Sequence, residues 1–199
     1  MVPCDRLLAA GIDGLVHCLV ALMSTPWKPP PDGMAFDGLR RAGQWLERLV
    51  ADPAGPEARC EVMAAALNGA LAAQKGLGAV HAMAHAFEAL VSEAGRHGAL
   101  HAAFIGPALA FNAPAVPDRI AQAADALRLQ PGGDLAGDLA AHLQQLGARL
   151  GLPVRLGHLG LTAAGIARIA DRAAEDAANR TNPRHATARD YRAMLDAML

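Results

Sequence analysis

Histidines are concentrated in one apolar segment of this 199-residue chain. The stretch GLGAVHAMAHAFEALVSEAGRHGALH, residues 76–101, holds four of the chain's eight histidines. His81 and His85 are four residues apart, as are His97 and His101, so each pair would share one face of a helix. Three uses of such imidazoles compete at this point: a metal site, catalytic proton transfer, or polar contacts across a helix interface.

A matching pair of polar residues occurs in the first apolar segment, GIDGLVHCLVAL. Asp13 and His17 have the same separation there, where burial of an unpartnered carboxylate would be costly. A divalent cation would remove that cost, and one carboxylate with three imidazoles suits Fe²⁺ or Zn²⁺. Hydrogen-bonded core histidines explain any single pair equally well. The three pairs together favour a metal site.

The elements that must position these residues are helices. The chain is 53% hydrophobic but only 4% aromatic, and it is rich in Ala and Leu, which favours packed helices over sheets. We therefore expect an all-α fold, with residues 1–199 forming a single helical domain. Apolar spacing, prolines and glycines predict helices over residues 6–23, 36–50, 57–74, 80–92, 97–111, 116–127, 135–150, 162–178 and 187–199.

Charge and composition exclude several function classes. The net charge is −1 with both signs intermixed, so we expect no nucleic-acid partner and no binding to an anionic membrane. The longest apolar run, residues 99–116, is interrupted by polar residues and prolines, which argues against a membrane span. The three cysteines have no tight metal spacing, and we expect no signal peptide. These features favour a cytoplasmic protein.

Several strings resemble the C-terminal helical half of the iron-containing alcohol dehydrogenases. They are LLAAGIDGLVHCLVAL, GLGAVHAMAHAFEAL, RHGALHAAFIGPALAFN and TNPRHAT, in the family's order, and they extend over essentially the whole chain. The segments FNAPAVPDRI and HGALHA lean towards the maleylacetate reductase branch, whereas GLGAVHAMAH and Asp13 lean towards ordinary alcohol dehydrogenases. The subfamily stays open.

This resemblance implies roles for individual residues. The family's metal ligands correspond to Asp13, His17, His81 and His97, and His85 matches a catalytic histidine near the substrate and the nicotinamide. His101 is then expected to support the site or to play a structural role.

The chain also departs from the family's pattern. Val20 replaces a usual Glu, Arg96 replaces a usual Pro, and eleven residues separate His85 from His97, about two more than the family pattern implies. The longer spacing could move His97 away from the metal, in which case the site would retain three ligands or recruit His101.

The resemblance also implies a nucleotide-binding half that we expect to be absent from this chain. No βαβ pattern or GxGxxG turn occurs, so NAD(P) would bind only if a separate half supplied its site. The leading hypothesis is the metal-bearing half of an NAD(P)-dependent alcohol dehydrogenase or maleylacetate-type carbonyl reductase, acting on a small alcohol or carbonyl substrate. The alternatives are a non-enzymatic helical metal-binding or interaction module and a helical domain with vestigial histidines. We expect a homo-oligomer or a separate cofactor-binding subunit as partner.

Overall fold

A computed structural model describes residues 2–90, 97–130, 132–151 and 162–198, with the side chains of residues 97–99 left out. These residues form α-helices and short 3₁₀-helices without any strand, which confirms the all-α prediction. The α-helices are α1 Cys4–Met23, α2 Pro29–Ala51, α3 Pro56–Ala72, α4 Gly78–Glu88, α5 His97–Asn112, α6 Pro117–Ala126, α7 Leu135–Arg149, α8 Ala163–Glu175 and α9 Ala188–Asp196. Buried residues from each of these helices join one hydrophobic cluster.

Helices α1 and α3 approach each other closely at two glycines. A Cβ on Gly14 would lie 2.5 Å from the Ala66 Cα, and a Cβ on Gly69 would overlap the backbone of Gly14. Only hydrogen at both positions allows this distance, because each added carbon would meet backbone and not a side chain that can turn away. Because Asp13 precedes Gly14, this metal-ligand candidate lies beside the close contact between α1 and α3.

Helix α2 begins earlier than the sequence predicts. The predicted start was residue 36, but the helix starts at Pro29, with prolines in its first turn. Proline fits there because the first backbone N–H groups of a helix have no intrahelical acceptor. Leu39, Leu46 and Leu49 are buried, whereas Val50 is 40% exposed.

The small, uncharged residues of α3 are typical of a central helix. The helix does pack tightly, but it is not central. One face contacts α1 and α2, while Met63 and Leu67 on the opposite face are 52% and 60% exposed. Its small residues permit a close approach on one side only.

Side-chain caps begin the last two helices, as their sequences predict. The Thr162 side chain accepts a hydrogen bond from the Gly165 N–H at the start of α8. Thr187 and Asp190 form a capping box at the start of α9, and the hydrogen bonds from Thr187 hold the pKa of the Asp190 carboxyl below its usual value.

Helix α1 is long and apolar enough to cross a membrane by length and composition, with a mean hydropathy of 1.6 in its most apolar window. That window is 67% buried inside the protein. The helix contacts α2, α3 and α5, as the core helix of a folded domain does.

Candidate metal centre

Asp13 and His17 lie one turn apart on α1, on the face that meets α4 and α5. The His17 Nδ1 is 3.5 Å from the Asp13 Oδ2. Both side chains are partly buried, with 28% of Asp13 and 17% of His17 exposed. The four-residue spacing thus brings the two side chains together as the sequence predicts.

His81 comes to this pair from α4. Its ring stacks on the His17 ring, with centroids 4.6 Å apart and planes inclined by 18°. One possible ligand atom from each of Asp13, His17 and His81 lies within 4.8 Å of the others. His81 is 1% exposed, so this cluster closes at its inner end against the core.

His101 of α5 reaches the same cluster. Its Nδ1 is 2.6 Å from the Asp13 Oδ1, its ring centroid is 4.1 Å from that of His81, and the residue is fully buried. Because an ionised carboxylate only accepts hydrogen bonds, this distance assigns the hydrogen to Nδ1 of His101. The resemblance implies a supporting or structural role for His101. The structure places it in direct contact with Asp13, a candidate metal ligand.

The side chain of His97, the fourth predicted ligand, lies outside the described part of the structure. Helix α5 begins at this residue. The preceding residues 91–96, where the chain is longer than the family pattern, are not described either. The assignment of His97 therefore stays a prediction.

His85 lies one turn beyond His81, towards the surface. The two ring centroids are 5.9 Å apart, and 40% of the His85 side chain is exposed. Its Nδ1 is 3.2 Å from the Asp176 Oδ2. A cavity of about 320 Å³ opens here, lined by His85, Ala86, Arg172, Glu175 and Asp176.

The start of α4 is held in place by the segment that follows α8. The Asn182 Oδ1 accepts the Ala79 N–H, and the Thr181 Oγ1 accepts the Leu77 N–H. Gly78 has φ +64°, and a Cβ there would lie 2.9 Å from the Asn182 Oδ1, so glycine is required at this turn. Thr181 and Asn182 thus cap the helix that carries His81 and His85.

The chemistry of this donor set fits a borderline divalent cation. Imidazole nitrogen and carboxylate oxygen are ligands of Fe²⁺ and Zn²⁺ in proteins. Three of the histidine rings, those of His17, His81 and His101, lie within 5.9 Å of one another beside a carboxylate. Polar groups at this depth require strong partners, and a shared cation would meet that requirement.

Sequence reasoning missed Asp176. It lies 91 residues from His85 along the chain, at the junction between α8 and a 3₁₀-helix, Ala177–Thr181. The sequence predicted an uninterrupted helix to residue 178, whereas α8 ends at Glu175. An acidic residue between the two helices is a weak indication of a helix cap in the sequence. It does not indicate that Asp176 contacts His85.

Comparisons with known proteins identify relatives of this chain. Residues 7–199 match the family model described as Fe-containing alcohol dehydrogenase family, C-terminal. The chain is 37% identical over 202 residues to 4-hydroxybutyrate dehydrogenase of Cupriavidus necator, covering 98% of this chain and 52% of that protein. It is 31% identical over 173 residues to a maleylacetate reductase of Sphingobium indicum, covering 84% and 46% of the two chains.

Solved structures show the same fold. The crystal structure of a 1,3-propanediol oxidoreductase superimposes with a TM-score of 0.92 at 27% sequence identity, over 100% of this chain and 53% of that one. The chain thus spans about half the length of the relatives it matches.

Proposed function

The chain belongs to the Fe-containing alcohol dehydrogenase family, and from that premise we propose that it is the metal-bearing half of an NAD(P)-dependent alcohol dehydrogenase or carbonyl reductase. The observation that carries the proposal is the cluster of Asp13, His17 and His81, whose ligand atoms lie within 4.8 Å of one another. Two helices distant in sequence supply them. Family membership alone would not require the donor set to be complete in this chain.

The metal would be held by Asp13, His17 and His81, together with His97 at the start of α5. The imidazoles and the single carboxylate suit Fe²⁺ or Zn²⁺, and the description of the family favours Fe²⁺. When bound, such an ion supplies a Lewis acid that polarises the oxygen of an alcohol or carbonyl group. Among the described ligand candidates, Asp13 and His17 are partly exposed whereas His81 is buried, so we expect the substrate oxygen to approach from the side of Asp13 and His17.

His85 would serve proton transfer beside the metal. It is close to His81 but more exposed, with 40% of its side chain accessible. At this position the His85 ring can contact a substrate that enters from the surface. The buried His81 cannot make such a contact. A histidine in such a place can exchange a proton with the alcohol hydroxyl during hydride transfer.

The substrate class follows from the relatives. Their names specify 4-hydroxybutyrate, maleylacetate and 1,3-propanediol, each a small molecule with a second oxygen-bearing group besides the reacting one. We extend that class, a small alcohol or its carbonyl counterpart, to this chain. Turnover would also require the nicotinamide-binding half, as in the full-length enzymes of the family.

Metal content tests this proposal. Purified chain reconstituted with Fe²⁺ without oxygen, or with Zn²⁺, should retain about one ion per chain after desalting, measured by elemental analysis. His81→Ala should lower the affinity by orders of magnitude because it removes a buried ligand. His142→Ala is the matched control, since His142 lies on α7 and outside the cluster.

Three outcomes would contradict the proposal. A folded chain that retains neither metal would favour a helical domain with vestigial histidines. Equal losses in the His81 and His142 variants would show that the metal binds elsewhere. Metal binding without activity after the nicotinamide-binding half is supplied would favour a non-enzymatic metal-binding module.

A further inference from the structure

We propose that Asp176 is a positioning residue that holds the His85 ring in one orientation and one tautomer, with the ring hydrogen on Nδ1. This inference rests on the proposed function, because it gives His85 the proton-transfer role described above. It concerns a contact between residues 91 positions apart. Neither the motif spacing nor the cluster of metal-ligand candidates includes Asp176.

Asp176 is itself fixed by the backbone. Its Oδ1 accepts the Ala178 N–H at 2.8 Å, which caps the 3₁₀-helix that follows α8. Only 22% of its side chain is exposed. The hydrogen bond to Oδ1 therefore also fixes the position of Oδ2, which lies 3.2 Å from the His85 Nδ1.

The segment that follows Asp176 is also anchored. The Asn179 side chain donates to the Ala174 and Ala186 carbonyls and accepts from the Tyr191 hydroxyl. These bonds tie the 3₁₀-helix to α8 and α9. Asp176 is thus a rigid support, unlike an exposed acid on a loop that could follow a moving ring.

The contact decides which nitrogen of His85 carries the hydrogen. A carboxylate only accepts hydrogen bonds, so Nδ1 must donate, and in the neutral ring Nε2 carries the lone pair. A histidine held in this way by an acid has the arrangement in which Nε2 receives a proton and the acid stabilises the resulting imidazolium. During alcohol oxidation the hydroxyl O–H bond would break and an Nε2–H bond would form. The C–H bond of the carbon that bears this hydroxyl would break as its hydride passes to NAD(P)⁺, so the alcohol is oxidised to a carbonyl compound and NAD(P)⁺ is reduced.

The same geometry predicts what Asp176→Asn does. The side-chain oxygen of Asn must take the Oδ1 position, because the Ala178 N–H requires an acceptor there. The NH₂ group then faces the His85 Nδ1 and donates to it. The ring hydrogen should therefore move to Nε2, with little change in shape.

Nitrogen NMR tests the tautomer directly. In chain labelled with ¹⁵N-histidine and loaded with Zn²⁺, long-range ¹H–¹⁵N correlations distinguish the two tautomers, and the spectrum of His85→Gln assigns the His85 signals. We expect the Nδ1–H form in the unaltered chain and the Nε2–H form in Asp176→Asn. Glu175→Gln is the matched control, because Glu175 lines the same cavity and its change removes the same charge, so His85 should stay in the Nδ1–H form.

Several results would overturn the inference. An Nε2–H tautomer in the unaltered chain would do so without the Asp176 variant, so the test remains valid if Asp176→Asn fails to fold. An unchanged tautomer in Asp176→Asn, or the same switch in Glu175→Gln, would also overturn it. Zinc content in the same samples distinguishes the proposed function from the role of Asp176. A chain without zinc but with the expected tautomer would contradict only the proposed function.

Discussion

The two oxygens of Asp13 face different neighbours. Oδ1 accepts from the His101 Nδ1 at 2.6 Å, and Oδ2 lies 3.5 Å from the His17 Nδ1. A hydrogen bond from a fixed imidazole orients a carboxylate and restricts which oxygen can bind a cation. His101 therefore supports the candidate site by turning the Asp13 Oδ2 towards His17 and His81.

A pair of substitutions at His101 tests this role. His101→Leu removes the donor and should weaken metal binding by roughly 10- to 100-fold, measured by competition with a chelator. His101→Asn should retain most of the affinity, because the amide nitrogen of Asn can occupy the position of the histidine Nδ1. If the Asn variant loses as much as the Leu variant while staying folded, His101 binds the metal directly.

At this scale the sequence predicts some contacts and not others. The four-residue spacing is enough to bring Asp13 to His17, since both lie on one helix. That His81 stacks on His17 depends on how α4 packs against α1, which spacing within a helix does not specify. The contact between Asp176 and His85 joins two segments with no shared pattern, so only the folded chain reveals it.

At the scale of the helices, the contact of α1 with α3 determines where Asp13 and His17 lie. Gly69→Ala places a methyl group against the backbone of Gly14, and α1 or α3 must move. We expect this variant to lower the free energy of unfolding by about 1–3 kcal/mol. Because Gly14 adjoins Asp13, we also expect weaker metal binding, and chemical denaturation with metal titration measures both effects.

The same substitution at another helical glycine gives the control. A Cβ on Gly33, near the start of α2, meets nothing within 4 Å. Gly33→Ala should therefore raise the free energy of unfolding by about 0.4–1 kcal/mol, because it restricts the unfolded chain. Similar effects at both positions would mean that the close approach of α1 and α3 does not limit stability.

Helix boundaries show why the sequence predicts these elements only in part. The prolines at 29–31 predict that α1 ends before them, and it does. They also begin α2, because proline is favourable in the first turn of a helix as well as after its end. Small residues in α3 correctly predicted close packing. They could not indicate that only one face of α3 would be covered, because the neighbours of a helix are a tertiary property.

At the scale of the whole molecule, the described residues supply a metal-binding candidate and a histidine for proton transfer but no strand. A nicotinamide dinucleotide is held through its pyrophosphate by a glycine-rich turn between a strand and a helix. The relatives are about twice as long as the part that this chain matches. We therefore expect nicotinamide binding to belong to the part of these relatives that this chain does not match.

Calorimetric titration with NADH tests that division. We expect no micromolar binding by the chain alone, with or without Fe²⁺, because hydride transfer requires a nicotinamide held within about 3.5 Å of the substrate carbon and the described helices offer no pyrophosphate site. Fusion of the N-terminal half of the Cupriavidus necator relative ahead of Val2 should produce NADH binding and metal-dependent reduction of a carbonyl substrate. The same fusion carrying His81→Ala should bind NADH but show little turnover, since the two halves contribute separately to the reaction. Micromolar NADH binding and carbonyl-dependent NADH oxidation by the chain alone would show instead that these helices form a complete enzyme.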